Sequence, residues 1–531
     1  MTSAALPGAE DPPRARDRAI PRTFDGTEEA ELRAGCEGLV ALSGRLEPWQ
    51  VELCHQPELI DAMFGEHGSP VNLIDPSPMR RNADALARAA SGFDIDCGIF
   101  FARKANKALA LVDEARRLGL GVDLASEREL AQVLERGVPG SALVMTAAVK
   151  PVTLLERCVA SGATIVVDNL DELRRTEQVA RSTGRVATVA LRLAVELGED
   201  RLQTRFGFGL DEAIAVGDRV SAPGDGSPVA IAGVHFHLDG YDRDDRVSAI
   251  GEAFELVDAL RGRGHEPAFV DIGGGIPISH LDSETQWERF WSEHRRGLLG
   301  AREPLTFEGH GLGLLAHRGE IIGSPAVYPF HQSPTGGAWL AGVLAGRLAS
   351  GGRVADGFRA RGLQLRCEPG RALLDGCGMT AARVAYRKRR RDGTWLVGVE
   401  MNRTQCRSTS EDFLVDPLLL RARQRDGGGV PGDGPPADPL PDQRDGLEAD
   451  GEDTGPIDGY LVGAYCIERE LLTWRKMRFP LGVRVGDIVV FPNTGGYLMH
   501  ILESASHQIP LARNLIVRPG APVVLDPIDG G

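Results

Sequence analysis

Lys104 lies in the stretch Phe100-Phe101-Ala102-Arg103-Lys104-Ala105-Asn106-Lys107, where an apolar run breaks off. A lysine amine beside apolar walls has its pKa lowered and can attack a carbonyl carbon. A solvated lysine at a strand end is the competing reading. Composition bears on the choice. The chain carries five lysines, Lys104, Lys107, Lys150, Lys388 and Lys476, and the rest of its positive side chains are arginines. A lysine in such a chain points to a task that a guanidinium cannot perform.

Three other stretches carry residue types suited to chemistry. Asp271-Ile272-Gly273-Gly274-Gly275-Ile276-Pro277 offers three glycines, whose backbone N–H groups can come close to an anion. The dinucleotide fingerprint fails here because Ile278 holds its last glycine position, and a tight turn alone would also explain the glycines. Cys367-Glu368-Pro369-Gly370-Arg371 combines a carboxylate, a fixed φ, a close-approach glycine and a guanidinium that can fork onto phosphate. His235-Phe236-His237 spaces two histidines so that a strand would point both one way. Stacking on a ring or pairing on a metal would both use that spacing, and no third ligand is evident nearby. A nucleophilic amine facing a phosphate cradle is the equipment pyridoxal 5'-phosphate (PLP) needs.

The elements that must position these groups follow from periodicity. Short apolar runs end near Ala102, Leu124, Thr146, Asp168, Leu193, His237, Ile272 and Cys367. Helical patterns separate most of them, as in 127–136, 152–160 and 247–261. Repeated strand–helix units imply parallel pairing. Eight of them predict a closed (β/α) barrel of the TIM type, with a doubly wound open sheet as the alternative. In such a barrel Lys104 follows the first strand, and the glycine-rich and Glu368 loops follow the seventh and eighth, all on one rim.

Residues 71–372 are expected to form this barrel, with 280–362 as an insertion on the active-site rim. Residues 373–531 read as a mainly β domain, from strands near 379–386, 394–400, 459–462, 487–491 and 514–517. Residues 1–25 and 424–458 are expected to be disordered, the latter being rich in Gly, Pro and Asp. Residues 26–70 form an N-terminal segment that could pack on the β domain.

The 531-residue chain has a net charge of -15, which argues against a nucleic-acid or anionic-membrane surface. The arginine run 387–391 reads as a solvated hairpin or loop. Eight scattered cysteines without a CxxC pair read as reduced thiols of a cytoplasmic protein. No apolar run is long enough to span a bilayer.

The motifs FARKANK, GVHFHLDG, DIGGGIP, CEPGR, AYC and GGY occur in the order seen in fold-type III PLP enzymes. The chain resembles the diaminopimelate/ornithine/arginine decarboxylase family over roughly 70–515, less the 424–458 loop and much of 280–362. The family fold is an α/β barrel followed by a β domain. The resemblance implies a PLP-dependent amino-acid decarboxylase, a homodimer with shared active sites. Lys104 would bond covalently to the cofactor, and His237 would stack on its ring. Gly273, Gly274, Gly275, Gly370, Arg371 and Tyr497 would hold its phosphate. Glu368 would pair with the pyridine nitrogen and keep it protonated. Cys466 would come from the partner subunit as proton donor, and Glu468 would help to bind the substrate.

This chain departs from the family pattern at two places. Leu238-Asp239-Gly240 stands where the family has Gly-Ser after the histidine. Ile467 stands where an acidic residue usually follows the cysteine, with Glu468 one place on. Diaminopimelate and ornithine are therefore both in doubt as substrates. A racemase on the same scaffold is one alternative, although racemases of this fold tend to place arginine where Glu368 stands. A catalytically silent PLP-binding homologue is the other.

Overall fold

In a computed structural model, residues 28–195, 197, 204–222, 226–408, 413–422 and 455–530 are described. The tail expected at 1–25 and most of the loop expected at 424–458 fall outside them. The end of that loop needs correction. Ile457 and Asp458 open the strand Ile457–Val462, which pairs with Trp395–Val399 and Met477–Phe479.

Eight parallel strands close into a barrel. They are β1 Cys97–Ala102, β2 Gly121–Leu124, β3 Leu143–Met145 and β4 Thr164–Val167, then β5 Ala187–Arg192, β6 Val229–His235, β7 Phe269–Asp271 and β8 Gln364–Cys367. Closure is direct, since Cys97, Gly98 and Ile99 pair with Leu365, Arg366 and Cys367. The open-sheet alternative is thereby excluded. Helices between the strands start and stop where local chemistry dictates. Ser126 and Asn169 cap 127–135 and 170–183 by accepting from Glu129 and Glu172 backbone N–H groups, and Gly184 ends the second helix at φ +66°.

Aromatic rings seated over glycines fill the barrel's lower interior. Phe100, Val144, Val166, Ala190 and Phe269 form a closed cluster, and the Arg366 guanidinium lies 3.6 Å from the Phe269 ring centre. A Cβ at Gly121 would meet the Phe100 ring at 2.2 Å. The glycine is therefore a steric requirement of the ring, since interiors leave no slack of that size.

The second body is a ten-stranded sheet. Two expectations about its extent are corrected. Val71–Ile74, grouped by sequence with the barrel, pairs antiparallel with Gly378–Arg389 and parallel with Arg513–Ile516. The 280–362 insertion is really two parts. Helices Gly336–Ala345 and Val354–Arg361 pack on the barrel's own helices and form the crossover from β7 to β8. The earlier part, including helix Glu284–Leu298, buries Phe290, Trp291, Phe307 and Phe330 in one core with Phe413, Leu461 and Phe491 of the sheet. The N-terminal helices Pro48–Cys54 and Pro57–His67 bury Trp49, Leu53, Ile60 and Phe64 against Met379, Ile488 and Leu515. Lys388 and Arg389 lie in a strand that turns at 390–394, which is the expected hairpin. Among the described residues no helix is long and apolar enough to cross a membrane. All eight cysteines are free.

The C-terminal segment ties the two bodies together. Helix Leu109–Arg117 follows Ala108, which has no side chain able to cap it. Buried Asp526 supplies the cap from across the fold, accepting from Leu109 N at 2.9 Å and Ala110 N at 2.8 Å. Asp526→Ala should cost about 1–2 kcal/mol of stability, and Asp526→Asn distinctly less. Urea denaturation would measure both, and equal stability of the three proteins would contradict the capping role.

Candidate active site

The C-terminal ends of the barrel strands converge on one rim, and nearly every strand delivers a polar side chain to it. β1 leads into a single 3₁₀ turn, Arg103–Ala105, that carries Lys104. The Lys104 Nζ donates to Asp123 Oδ2 of β2 at 2.7 Å. Thr146, just after β3, donates to the other oxygen of Asp123. Arg192 ends β5 and lies 3.7 Å from Asp168, next after β4. His235, Asp271 and Glu368 complete the circle from β6, β7 and the loop after β8.

This arrangement corrects the expectation for Lys104. Burial does pull its pKa down, but the nearby carboxylates of Asp123 and Glu368 overrule it, and the net shift is upward. The wall beside the amine is acidic rather than apolar. Asp123 is also the proton acceptor within reach when the amine must be released for attack.

Glu368 lies deeper. Burial first, and the charge of Asp123 second, raise its carboxyl to about 8. Asp271 is raised to about 7 by burial and by Glu368. His235 is held down at about 4 by burial. The 3.3 Å contact of His235 Nε2 with Glu368 Oε1 is therefore not an ion pair near neutral pH, since both groups lean to their neutral forms. Glu368 Oε1 and both His235 nitrogens are buried without a hydrogen-bond partner. These three residues are the group among the described ones that could offer three metal-type ligands. His237 is not one of them. β6 ends at His235, so the two histidines do not continue one strand face.

His237 faces the open cleft beside the glycine turn. Its Nδ1 accepts from Gly274 N at 3.2 Å, which places the proton of the neutral ring on Nε2. Surrounding protein, with Lys104 and Arg246 adding, holds the imidazole well below its usual range. The turn has steric reasons for its glycines. Gly273 has φ +66°, and a Cβ there would sit 2.7 Å from His237 Nδ1. Gly275 has φ +71°, and a Cβ would meet the Arg246 guanidinium at 2.7 Å. Arg246 itself is buried and donates to the Ile272 carbonyl at 2.6 Å, holding the turn from below.

The β domain closes the opposite side. Tyr497 N donates to the Ala105 carbonyl at 2.8 Å, and Asn106 donates to the Gly495 carbonyl at 2.9 Å. The Tyr497 hydroxyl occupies the space where a Cβ of Gly370 would be, at 2.6 Å. Arg371 donates to the Gly496 carbonyl and to Ser408, and its guanidinium lies 4.0 Å from the Tyr328 ring centre and 5.3 Å from that of Tyr497. Tyr328 comes from the first part of the insertion, so that part does reach the rim.

The fold thus brings Lys104, His237, Gly273, Gly274, Gly275, Glu368, Gly370, Arg371 and Tyr497 together. It does not bring in Cys466 and Glu468. Both are exposed on a loop of the β domain, where Cys466 Sγ lies 3.3 Å from His507 Nε2. Asp123, Arg192 and Tyr328 were missed by sequence reasoning. Asp123 and Arg192 each end a recognisable strand, and rim position alone could have flagged them. Tyr328 carries no such signal. A buried carboxyl with one unpartnered oxygen, an amine near it and a glycine turn fit a ring nitrogen, an aldehyde carbon and a phosphate, the groups of PLP.

Residues 80–305 match the family model described as pyridoxal-dependent decarboxylase, pyridoxal binding domain. The uncharacterized protein y4yA of Sinorhizobium fredii is 30% identical over 453 residues, covering 85% of this chain and 88% of that one. The diaminopimelate decarboxylase of Zymomonas mobilis is 23% identical over 288 residues, 51% of this chain and 67% of its own length. Among solved structures, diaminopimelate decarboxylase from Helicobacter pylori, complexed with L-lysine, aligns with a TM-score of 0.60 at 17% identity, covering 88% of this chain and 95% of that one. SrLDC in complex with PLP and cadaverine aligns with a TM-score of 0.57 at 16% identity, covering 87% and 93%. At such identities the structural likeness is one of fold.

The raised carboxyl of Glu368 has a consequence for stability. In the unfolded chain a glutamate titrates near 4.3, and in the folded, cofactor-free chain Glu368 titrates at about 8. Between those values the folded chain holds a proton that the unfolded chain has lost, so stability falls as pH rises. Glu368→Gln cannot titrate. Its melting midpoint without cofactor should exceed that of wild type at pH 8, and the gap should shrink towards pH 5. A gap independent of pH would remove Glu368 from this account.

Proposed function

The chain belongs to the fold-type III PLP-dependent decarboxylase family, and from that premise we propose that it is a homodimeric, PLP-dependent amino-acid carboxy-lyase. The observation that carries the proposal is the buried carboxyl of Glu368, whose Oε1 has no hydrogen-bond partner, on a rim that also holds Lys104. When bound, PLP supplies a covalent anchor for the amino acid and an acceptor for the electron pair left as carbon dioxide departs. Lys104 would hold its aldehyde carbon, and Asp123 takes up the proton that the amine must lose. Gly273, Gly274, Gly275, Gly370, Arg371 and Tyr497 would hold the phosphate, and His237 would lie against the ring. Glu368 would keep the ring nitrogen protonated. The carboxylate and the protonated nitrogen would offset one another, so the pair would carry little net charge into the barrel.

Cys466 of a second chain is assigned as the proton donor to the substrate carbon, and Glu468 as a contact to the substrate. Ile467 puts an apolar side chain where the family usually has an acid. The substrate's far end therefore meets a different surface from that met by diaminopimelate or ornithine. The carboxylate at Glu368, rather than an arginine, favours carbon dioxide loss over racemisation.

Wild-type protein reconstituted with PLP should show the absorption band of covalently held cofactor, and Lys104→Ala should not. A screen of amino acids in heavy water, with carbon dioxide detection, then separates the activities. Carbon dioxide release supports the proposal. Deuterium exchange with inversion and no carbon dioxide means racemisation, and neither signal from fully loaded protein means a silent homologue.

Shared sites give a separate test. In a mixed dimer of Lys104→Ala and Cys466→Ala chains, one site has both residues intact and the other has both defects. Mixing the two inactive variants under subunit exchange should restore up to about half the activity per mixed dimer. No recovery, with exchange confirmed, would reject the shared site and leave Cys466 as a packing residue.

A further inference from the structure

Among the described residues, Cys466 has one side-chain hydrogen-bond partner, His507. His507 Nε2 lies 3.3 Å from Cys466 Sγ. The His507 ring stacks on Tyr465, with centres 4.8 Å apart and planes 20° off parallel. Tyr465 is buried, and its hydroxyl donates to the Ser504 carbonyl at 2.9 Å, so the stack is anchored at both ends. Ser504 N in turn donates to the Thr404 hydroxyl at 3.2 Å. His507 and Gln508 are both left-handed, with φ +60° and +56°. Two successive non-glycine residues in that region are uncommon, and here the turn aims the imidazole at the thiol.

The charged groups around this pair come from three segments. Glu468, Arg469 and Glu470 follow Cys466 in its own loop, Arg403 and Arg407 come from the adjoining segment, and Glu503 precedes the His507 turn. Arg403 is 3.4 Å from the buried Glu470 and balances it. Within the single chain Cys466 and His507 are both exposed.

Resting on the assignment of Cys466 as proton donor, we propose that His507 is a positioning residue that shares one proton with the Cys466 thiol and restores it after each delivery. The balance is simple. The Sγ–H bond breaks as a C–H bond forms on the substrate carbon that has lost carbon dioxide, and the S–H electron pair stays on sulfur. The neutral imidazole left beside the thiolate then takes a proton from the solvent onto Nε2 and passes it to sulfur, which restores the S–H bond and the neutral ring. A neutral imidazole at Nε2 holds the thiol hydrogen by accepting it, which fixes the direction of the S–H bond. In this way the chain supplies at Cys466 a titratable partner that Ile467, the next residue, cannot be.

The test is the rate of Cys466 alkylation by iodoacetamide, followed on its proteolytic peptide by mass spectrometry from pH 5.5 to 9.5. Full-length wild type, His507→Ala and His507→Gln are compared, because only the thiolate reacts. Wild type should react about five- to tenfold faster than either variant near pH 6.5, with the three rates converging at the alkaline end. Superimposed profiles would overturn the proposal. A His507→Gln profile equal to wild type would also overturn it, because glutamine keeps a polar contact but cannot titrate. The readout is independent of turnover. Separated profiles without carbon dioxide release would leave the shared proton standing and sink the decarboxylase reading. Coincident profiles with carbon dioxide release would do the reverse.

Discussion

The mouth of the barrel holds more acid than base, and the rest of the site is arranged around that imbalance. Asp123, Asp271 and Glu368 converge where Lys104 and Arg192 are the neighbouring cations. Charges so placed cannot all be ionised in a medium of low polarisability. The protein resolves the conflict unequally. Asp123 takes the lysine, while Glu368 and Asp271 are pushed towards their protonated forms. Glu368 Oε1 is left buried without a hydrogen-bond partner, and a cationic ring nitrogen is the kind of group that would relieve it.

The second constraint is steric. The proposed phosphate cradle needs backbone close to the ligand, and neighbouring side chains leave no space for a Cβ at three of its glycines. His237 blocks it at Gly273, Arg246 at Gly275 and the Tyr497 hydroxyl at Gly370. Two of these three come from the barrel and one from the β domain. The cradle is thus formed only when both bodies dock, which the Tyr497–Ala105 and Asn106–Gly495 hydrogen bonds secure.

Much of this was legible in the sequence. The barrel strands announced themselves as short apolar runs, and the glycine, CEPGR and lysine motifs fell at their ends. Val71–Ile74 was misplaced because a four-residue strand buried on both faces reads alike in either sheet. The crossover helices Gly336–Ala345 and Val354–Arg361 were swept into the insertion because nothing local marks which core a helix will join. The sign of the Lys104 shift was lost for a different reason. It depends on Asp123, nineteen residues away and on the next strand, and pairwise electrostatics across a barrel is a property of register. His507 was unreadable in the same way, since it meets Cys466 across two loops with no periodic pattern.

The position of Cys466 completes the logic. Within one chain it stands in an exposed loop beside Ile467, at 46% relative exposure, with Ile501 at 45% and Leu502 at 41% on the facing segment. Exposed apolar side chains of this size contribute favourably only when something covers them, at about 25 cal/mol per Å² removed from water. The proposed pairing of two chains would cover them and bring the thiol to the rim that holds Lys104 and Glu368. Ile467 brings apolar surface to that pairing, and Glu468 beside it would add one carboxyl to a rim that already holds Asp123, Asp271 and Glu368, which a cationic group of the substrate would balance.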